Sequence, residues 1–248
     1  MNVNSELIRL YAKQLKMPSF NRYDTVIRQL EPSDGYEKFL IELMKQEISE
    51  RHEAGQKRRI KNAGFPVLKT LDEFDLSKLE YVEPAYIKEL ASCDFIKNKQ
   101  NIVMIGNPGA GKTHLSIALG MKACHAGFHV KFYTALNLAN EISEAMQFNR
   151  LTKFEKRLSK TELLIIDELS YLTFNRHQSE MLFQAISERS EKASVIITTN
   201  LEFSKWTELF ENEMMLTALI DRITFKSHIL NMNVKESYRL RNSMTKGK

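Results

Sequence analysis

The stretch Gly106-Asn107-Pro108-Gly109-Ala110-Gly111-Lys112-Thr113 constrains the fold of this chain more than any other part of it. Its spacing is that of a phosphate-binding loop. Its context is the one such a loop needs, because the apolar run from Asn101 to Ile105 reads as a buried strand and a helical pattern follows Lys112. The chemistry explains the residue types. Glycines let backbone N–H groups turn inward around phosphate oxygens, and the N-terminus of the following helix adds partial positive charge. Lys112 is then expected to hold the β and γ phosphates of ATP, and the Thr113 hydroxyl to coordinate Mg2+. A glycine-rich turn carrying a lysine by chance would not require a strand before it and a helix after it.

A loop of this kind belongs to a parallel sheet, and the rest of the chain supplies one. Val130 to Tyr133, Leu163 to Ile166 and Ser194 to Thr198 are short apolar runs separated by helical stretches, the pattern of buried parallel strands with crossover helices. The expected class is an α/β sandwich around a parallel sheet. Upstream the pattern is helical: Leu7, Leu10, Tyr11 and Leu15, then Phe39, Leu40, Leu43 and Met44, recur at helical spacing. Pro18 and the Pro32-Ser33-Asp34-Gly35 break divide this part into about three helices, with Ser33 or Asp34 placed to cap the last. The expected domains are a helical one over residues 1–66 and the nucleotide-binding one over 67–248, joined through a connector from Thr70 to Glu83 and a helix from Pro84 to Cys93.

Composition limits the setting and the partners. No apolar run reaches the roughly 18 residues of a membrane span, and Met1 to Tyr11 lacks a basic-then-apolar leader pattern, so a cytoplasmic protein with no membrane partner is expected. Cys93 and Cys124 lack metal-ligand spacing and read as reduced core residues, and the scattered histidines, His114 and His177 among them, show no metal spacing either. The formal net charge is +5, and it is uneven. Residues 1–69 carry 13 Lys and Arg against 9 Asp and Glu, residues 222–248 carry 7 against 1, and the middle carries 16 against 21. Basic ends suit a polyanion partner, although solvated helix faces give the same count. The densest group is Lys57, Arg58, Arg59 and Lys61 at the end of the third helix, candidates for phosphate contacts on DNA.

Two further strand ends complete the chemistry. Leu163-Leu164-Ile165-Ile166 runs into Asp167-Glu168; Asp167 can reach a magnesium shell and Glu168 can polarise an attacking water. Such a pair alone is usually a cap and a solvated acid, and its pairing with the phosphate loop reverses that reading. The strand from Ser194 ends in Thr199-Asn200, where Asn200 is placed either to bond the γ-phosphate or water, or simply to end the strand.

The order of these elements resembles the AAA+ ATPases, in which they are called Walker A, Walker B and sensor 1. Within that class the chain resembles the IstB-type helper ATPases of bacterial insertion sequences, relatives of the DnaC helicase loader and the DnaA initiator. The match runs through Gly106 to Leu115, Ile166-Asp167-Glu168-Leu169-Ser170-Tyr171, Ile197-Thr198-Thr199-Asn200-Leu201, Leu219-Ile220-Asp221-Arg222-Ile223 and Ser237-Tyr238-Arg239-Leu240, and the connector and N-terminal helices are similar too. The resemblance implies a P-loop AAA+ sandwich and an ATP-driven homo-oligomer on double-stranded DNA that serves a transposase. It places His114 with the nucleotide loop and makes Arg222 an arginine finger reaching a neighbouring subunit, with Arg189 the competing candidate. Arg239 matches a second sensor for the nucleotide, but Arg241 competes, and only 26 residues follow Arg222, too few for a separate helical lid. No base-reading motif is present, so DNA binding independent of sequence is expected. Trp206, Phe203 and Phe210 read as core or subunit contacts. A helicase loader, a P-loop small-molecule kinase and a nucleotide-gated DNA-binding protein with negligible turnover are the competing functions; the kinase lacks an acceptor-binding pattern.

Overall fold

The computed structural model describes residues 3–31, 35–169, 176–208 and 213–234. The chain forms two compact units, Met1–Arg58 and Arg59–Lys248. The first holds α1 (Val3–Gln14), a 3-10 turn that starts at Pro18, α2 (Tyr23–Gln29) and most of α3 (Tyr36–Ala63), whose last turn lies in the second unit. Pro18 can open the turn because the first turn of a helix has no use for its missing N–H. Ala12, Val26 and Leu43 are buried in this unit, together with the carboxylate of Glu47. That carboxylate accepts from the Ser19 backbone N–H at 3.1 Å, the Ser19 hydroxyl at 2.5 Å and Arg51 Nε at 2.6 Å. The cap expected from Ser33 or Asp34 falls outside the described residues.

The second unit is built on five parallel strands: β1 (Asn101–Ile105), β2 (Val130–Thr134), β3 (Leu163–Asp167), β4 (Ser194–Thr199) and β5 (Ser227–Asn231), in the order β2-β3-β4-β1-β5. Its helices are α4 (Pro84–Leu90), α5 (Asp94–Lys97), α6 (Lys112–His125), α7 (Ala135–Gln147), α8 (Leu151–Ser159), α9 (Arg176–Lys192) and α10 (Glu213–Thr224). Both faces of the sheet are covered, which is why the strands are apolar throughout rather than alternating. Ile102, Met104, Ile165 and Ile196 face one layer with Leu115 and Leu119 of α6. Val103, Leu164, Ile166 and Ile197 face the other with Leu138 of α7, Leu182 and Ile186 of α9, and Leu219 of α10.

Four strands fall where the apolar runs put them, and β4 lies between β1 and β3, which brings its Asn200 end between the ends of those two strands. The strand not anticipated is β5: it is an edge strand in which only Leu230 is buried, so its sequence carries almost no apolar signal. The helix expected to reach Cys93 stops at Leu90, and Cys93 itself adopts the left-handed conformation at φ 65°. Trp206 is fully buried, its indole N–H donating to Leu201 O at 3.2 Å, and is therefore a core residue; Phe210 lies outside the described residues. Among the described residues no helix is long and apolar enough to cross a membrane.

Candidate nucleotide site

The C-terminal ends of β1, β3 and β4 converge beside the loop that leaves β1. Gly109 and Gly111 take φ values of 82° and 90°, a region open to glycine and strained for other side chains. Gly106 is constrained differently, because a methyl group there would lie 2.7 Å from the backbone carbonyl of Met232. The chain after β5 runs directly against the loop: Met232 N–H donates to Ile105 O at 2.7 Å. The Asn107 side chain donates to Val234 O at 2.7 Å and accepts from Val234 N–H at 3.1 Å. Asn233 Oδ1 accepts from Asn107 N–H at 2.9 Å. On the other flank Phe74 of the connector lies against Gly111 and edge-on to His114, whose Nε2 donates to Thr70 O at 2.9 Å.

Lys112 opens α6 and is buried. Its ammonium donates to Gly106 O at 2.5 Å, Asn107 O at 3.0 Å and Asn200 Oδ1 at 2.6 Å, so the loop and the end of β4 are tied through one cation. Thr113 Oγ1 donates toward the Asp167 carboxylate, 3.0 Å from each oxygen. Thr198 is the node between β3 and β4: its hydroxyl donates to Asp167 Oδ1 at 2.5 Å and accepts from Glu168 N–H at 3.0 Å. Glu168 sits at φ 60°, which turns the chain out of β3 and leaves its side chain exposed to the cavity. That cavity has a volume of about 890 Å³ and is lined by residues 108–114, Glu168, Thr199, Asn200, Val234 and connector residues including Phe74 and Lys78. Its size lies within the roughly 300–1,000 Å³ of ligand pockets.

The residues present suit a nucleoside triphosphate and a hard dication. Left-handed glycines and a lysine at a helix N-terminus form an anion cradle. The Thr113 hydroxyl and the Asp167 carboxylate, 3.0 Å apart, are oxygen donors that would suit such a dication. One or two protein oxygens, with phosphates and water completing the shell, is the usual way magnesium is held.

Of the remaining candidates, Arg222 is exposed in the last turn of α10, its guanidinium 5.7 Å from the ring centre of Phe183. Arg189 is 6% exposed and donates from Nη1 to Leu158 O and from Nη2 to Thr161 O, the latter at 2.5 Å. Burial pushes its pKa down to about 10. Its guanidinium is thus engaged within the chain by the Leu158 and Thr161 carbonyls, whereas that of Arg222 is exposed. Lys57, Arg58 and Lys61 are exposed on α3, whereas Arg59 is half-buried and donates from Nε to Cys124 O at 2.8 Å, satisfying a carbonyl at the end of α6. Cys93 and Cys124 are free thiols and both are buried. Arg239, Ser170 and Tyr171 lie outside the described residues. Sequence reasoning missed Thr198 and the Asn107–Val234 pair as parts of the site. The pair of threonines, Thr198 and Thr199, ending a buried strand was the available signal for the first, and none marked the second.

The family model for IstB-like ATP-binding proteins matches residues 11–246. The chain belongs to that family. The ATP-binding protein of insertion sequence IS21 from Pseudomonas aeruginosa is 39% identical over 212 residues, covering 86% of this chain and 80% of the relative. That of insertion sequence IS5376 from Geobacillus stearothermophilus is 39% identical over 206 residues, 83% and 82% of the two chains. The five-stranded sheet of this IstB-like protein is the P-loop AAA+ arrangement also found in solved structures. AMPPCP-bound DnaA from Aquifex aeolicus superposes with a TM-score of 0.59 at 17% identity over 74% of this chain and 55% of that one, so this chain spans about half the initiator's length. DnaI superposes at 0.55 with 16% identity, over 67% and 91%. At these identities the likeness is one of fold.

Proposed function

We propose that this IstB-like protein hydrolyses ATP in a magnesium-dependent reaction, assembles as a homo-oligomer on duplex DNA without reading its sequence, and in that form assists the transposase of an insertion sequence. The observation that carries the catalytic part is the convergence of Lys112, Thr113, Glu168 and Asn200 on one cavity, with Asp167 bonded to Thr113, from segments far apart in sequence. Lys112 exchanges neutral carbonyl partners for phosphate oxygens, a stronger, charge-assisted pairing. Thr113 and Asp167 would hold the magnesium, which when bound would neutralise developing phosphate charge. Glu168, outside that pair and turned into the cavity, orients and polarises the attacking water. Asn200, bound to the lysine through its oxygen, positions the γ-phosphate or the water.

Arg222 is exposed and separate from this network, which suits a finger supplied to a neighbouring subunit's nucleotide and makes hydrolysis depend on assembly. The helical part over residues 1–66, with Lys57, Arg58 and Lys61, serves DNA or partner contacts, and Arg239 contacts the nucleotide from the C-terminal segment. The protein works in the cytoplasm. The names of its relatives, ATP-binding proteins of insertion sequences, support the transposase as partner.

The test is binding to fluorescent duplex and single-stranded DNA of equal length with ATP, ADP or no nucleotide, with particle size followed by light scattering. Large ATP-dependent complexes that prefer duplex support the proposal. Preference for single strands points to a helicase loader instead, and absence of DNA binding under every condition rejects both.

A further inference from the structure

One residue of the phosphate loop does not line the cavity. Residues 108–114 do, whereas Asn107 is half-buried behind them. Its polar groups are nevertheless all bonded. The Asn107 carbonyl accepts from the Lys112 ammonium at 3.0 Å, and its N–H donates to Asn233 Oδ1 at 2.9 Å. Its side-chain amide donates to Val234 O at 2.7 Å and accepts from Val234 N–H at 3.1 Å. The partners are fixed in turn, because Met232 N–H donates to Ile105 O at 2.7 Å and Asn233 N–H to Asn231 Oδ1 at 3.1 Å.

The residue type follows from the place. Strands β1 and β5 pair in parallel as far as Ile105 and Asn231, and there β1 gives way to the loop. Past that point an amide side chain, with one donor and one acceptor to offer, takes up both the N–H and the C=O of Val234. An aspartate at 107 would accept but not donate, and a leucine would do neither. Two consequences reach the cavity. Val234 lines it, so Asn107 fixes a wall that it does not itself form. The Asn107 carbonyl is also one of the groups that Lys112 gives up on taking phosphate oxygens, so the residue that holds the segment after β5 responds to that exchange.

We infer that Asn107 is a positioning residue that couples nucleotide occupancy of the loop to residues 232–234, acting through Lys112 and Val234 rather than by touching the nucleotide. The inference rests on the reading of this cavity as an ATP site. Its test is the affinity for AMPPCP with magnesium, measured by calorimetry on wild type, Asn107→Ala, Asn233→Ala and the double variant, with circular dichroism establishing that each is folded. Asn107→Ala is expected to weaken binding about tenfold, the order of one or two lost hydrogen bonds. The double variant is expected to lose no more than Asn107→Ala alone, because both side chains hold the same segment. Hydrogen exchange supplies a readout that a purely structural clip would not move. Coupling is reciprocal, so AMPPCP should slow exchange of the Val234 amide in wild type by the same factor of about ten. Wild-type affinity in Asn107→Ala, single losses that multiply in the double variant, or a Val234 exchange rate that is the same with and without AMPPCP overturns the inference while leaving the site standing. Should Asn107→Ala fail to fold, Asn233→Ala and exchange in the wild type decide. A folded wild type that binds no AMPPCP rejects the ATP site itself.

Discussion

At the scale of single residues, the site depends on a hydroxyl that carries no chemistry of its own. Thr198 donates to the Asp167 carboxylate and accepts from the backbone N–H of Glu168, so one hydroxyl ties both residues to β4. Thr198→Val keeps the shape and removes both bonds, leaving polar groups without partners at a cost of about 1–3 kcal/mol. Urea denaturation should show that loss, and ATP turnover should fall at least about tenfold, the equivalent of some 1.4 kcal/mol in the barrier; Thr198→Ser should retain most of both. The two arginines weighed as fingers separate by the same logic. Arg189→Met removes donors from the Leu158 and Thr161 carbonyls and is expected to lower stability by about 1–3 kcal/mol. Arg222→Ala, on an exposed side chain, is expected to leave the denaturation midpoint and ATP affinity in place and to abolish hydrolysis. If Arg222→Ala hydrolyses ATP at the wild-type rate, Arg222 is no finger.

Among the elements, close backbone approach does what side-chain pattern could not announce. The segment after β5 runs so near the phosphate loop that a methyl on Gly106 would meet Met232 C and O at 2.7 Å. Gly106→Ala must push β1 and that segment apart, an overpacking cost of about 1–3 kcal/mol, and the fall in stability should come with weakened ATP binding in calorimetry. The loop and the strands β1, β3 and β4 were legible because a strand buried on both faces is written as an uninterrupted apolar run. The edge strand β5, with Leu230 alone buried, was not, so its contribution to the loop was missed as well. The buried thiols add a pH signature. Burial pushes Cys93 and Cys124 from about 9 up to about 11, so the stability they contribute is complete below about pH 9 and is lost as pH rises toward 11. Urea midpoints compared between wild type and Cys93→Ala/Cys124→Ala should therefore converge across that window, and a constant difference would show that the thiols do not titrate there.

For the whole molecule, Arg222 is not among the residues that line the cavity, so its proposed role as a finger makes oligomerisation a testable condition of the proposed hydrolysis. Lys112, Thr113, Asp167, Glu168 and Asn200 all belong to one chain, so the proposed site predicts that an isolated subunit binds ATP. Under the proposed arginine-finger role, transition-state charge is stabilised only where a neighbour closes the interface, and such an arginine is worth on the order of 10³–10⁵ in rate. Hydrolysis per subunit should consequently rise with protein concentration and on adding duplex DNA. Mixing decides whether the arginine acts between subunits. Lys112→Ala subunits have a damaged cavity and an intact Arg222, whereas Arg222→Ala subunits have the reverse, and each alone should be inactive. In an equimolar mixture an Arg222→Ala cavity can receive the arginine of a Lys112→Ala neighbour, and activity should return to a fraction of wild type set by how often the two kinds adjoin. A mixture as inactive as its components, with mixed particles demonstrated by light scattering and a tag on one variant, would place Arg222 outside the shared site and leave hydrolysis to residues of one chain.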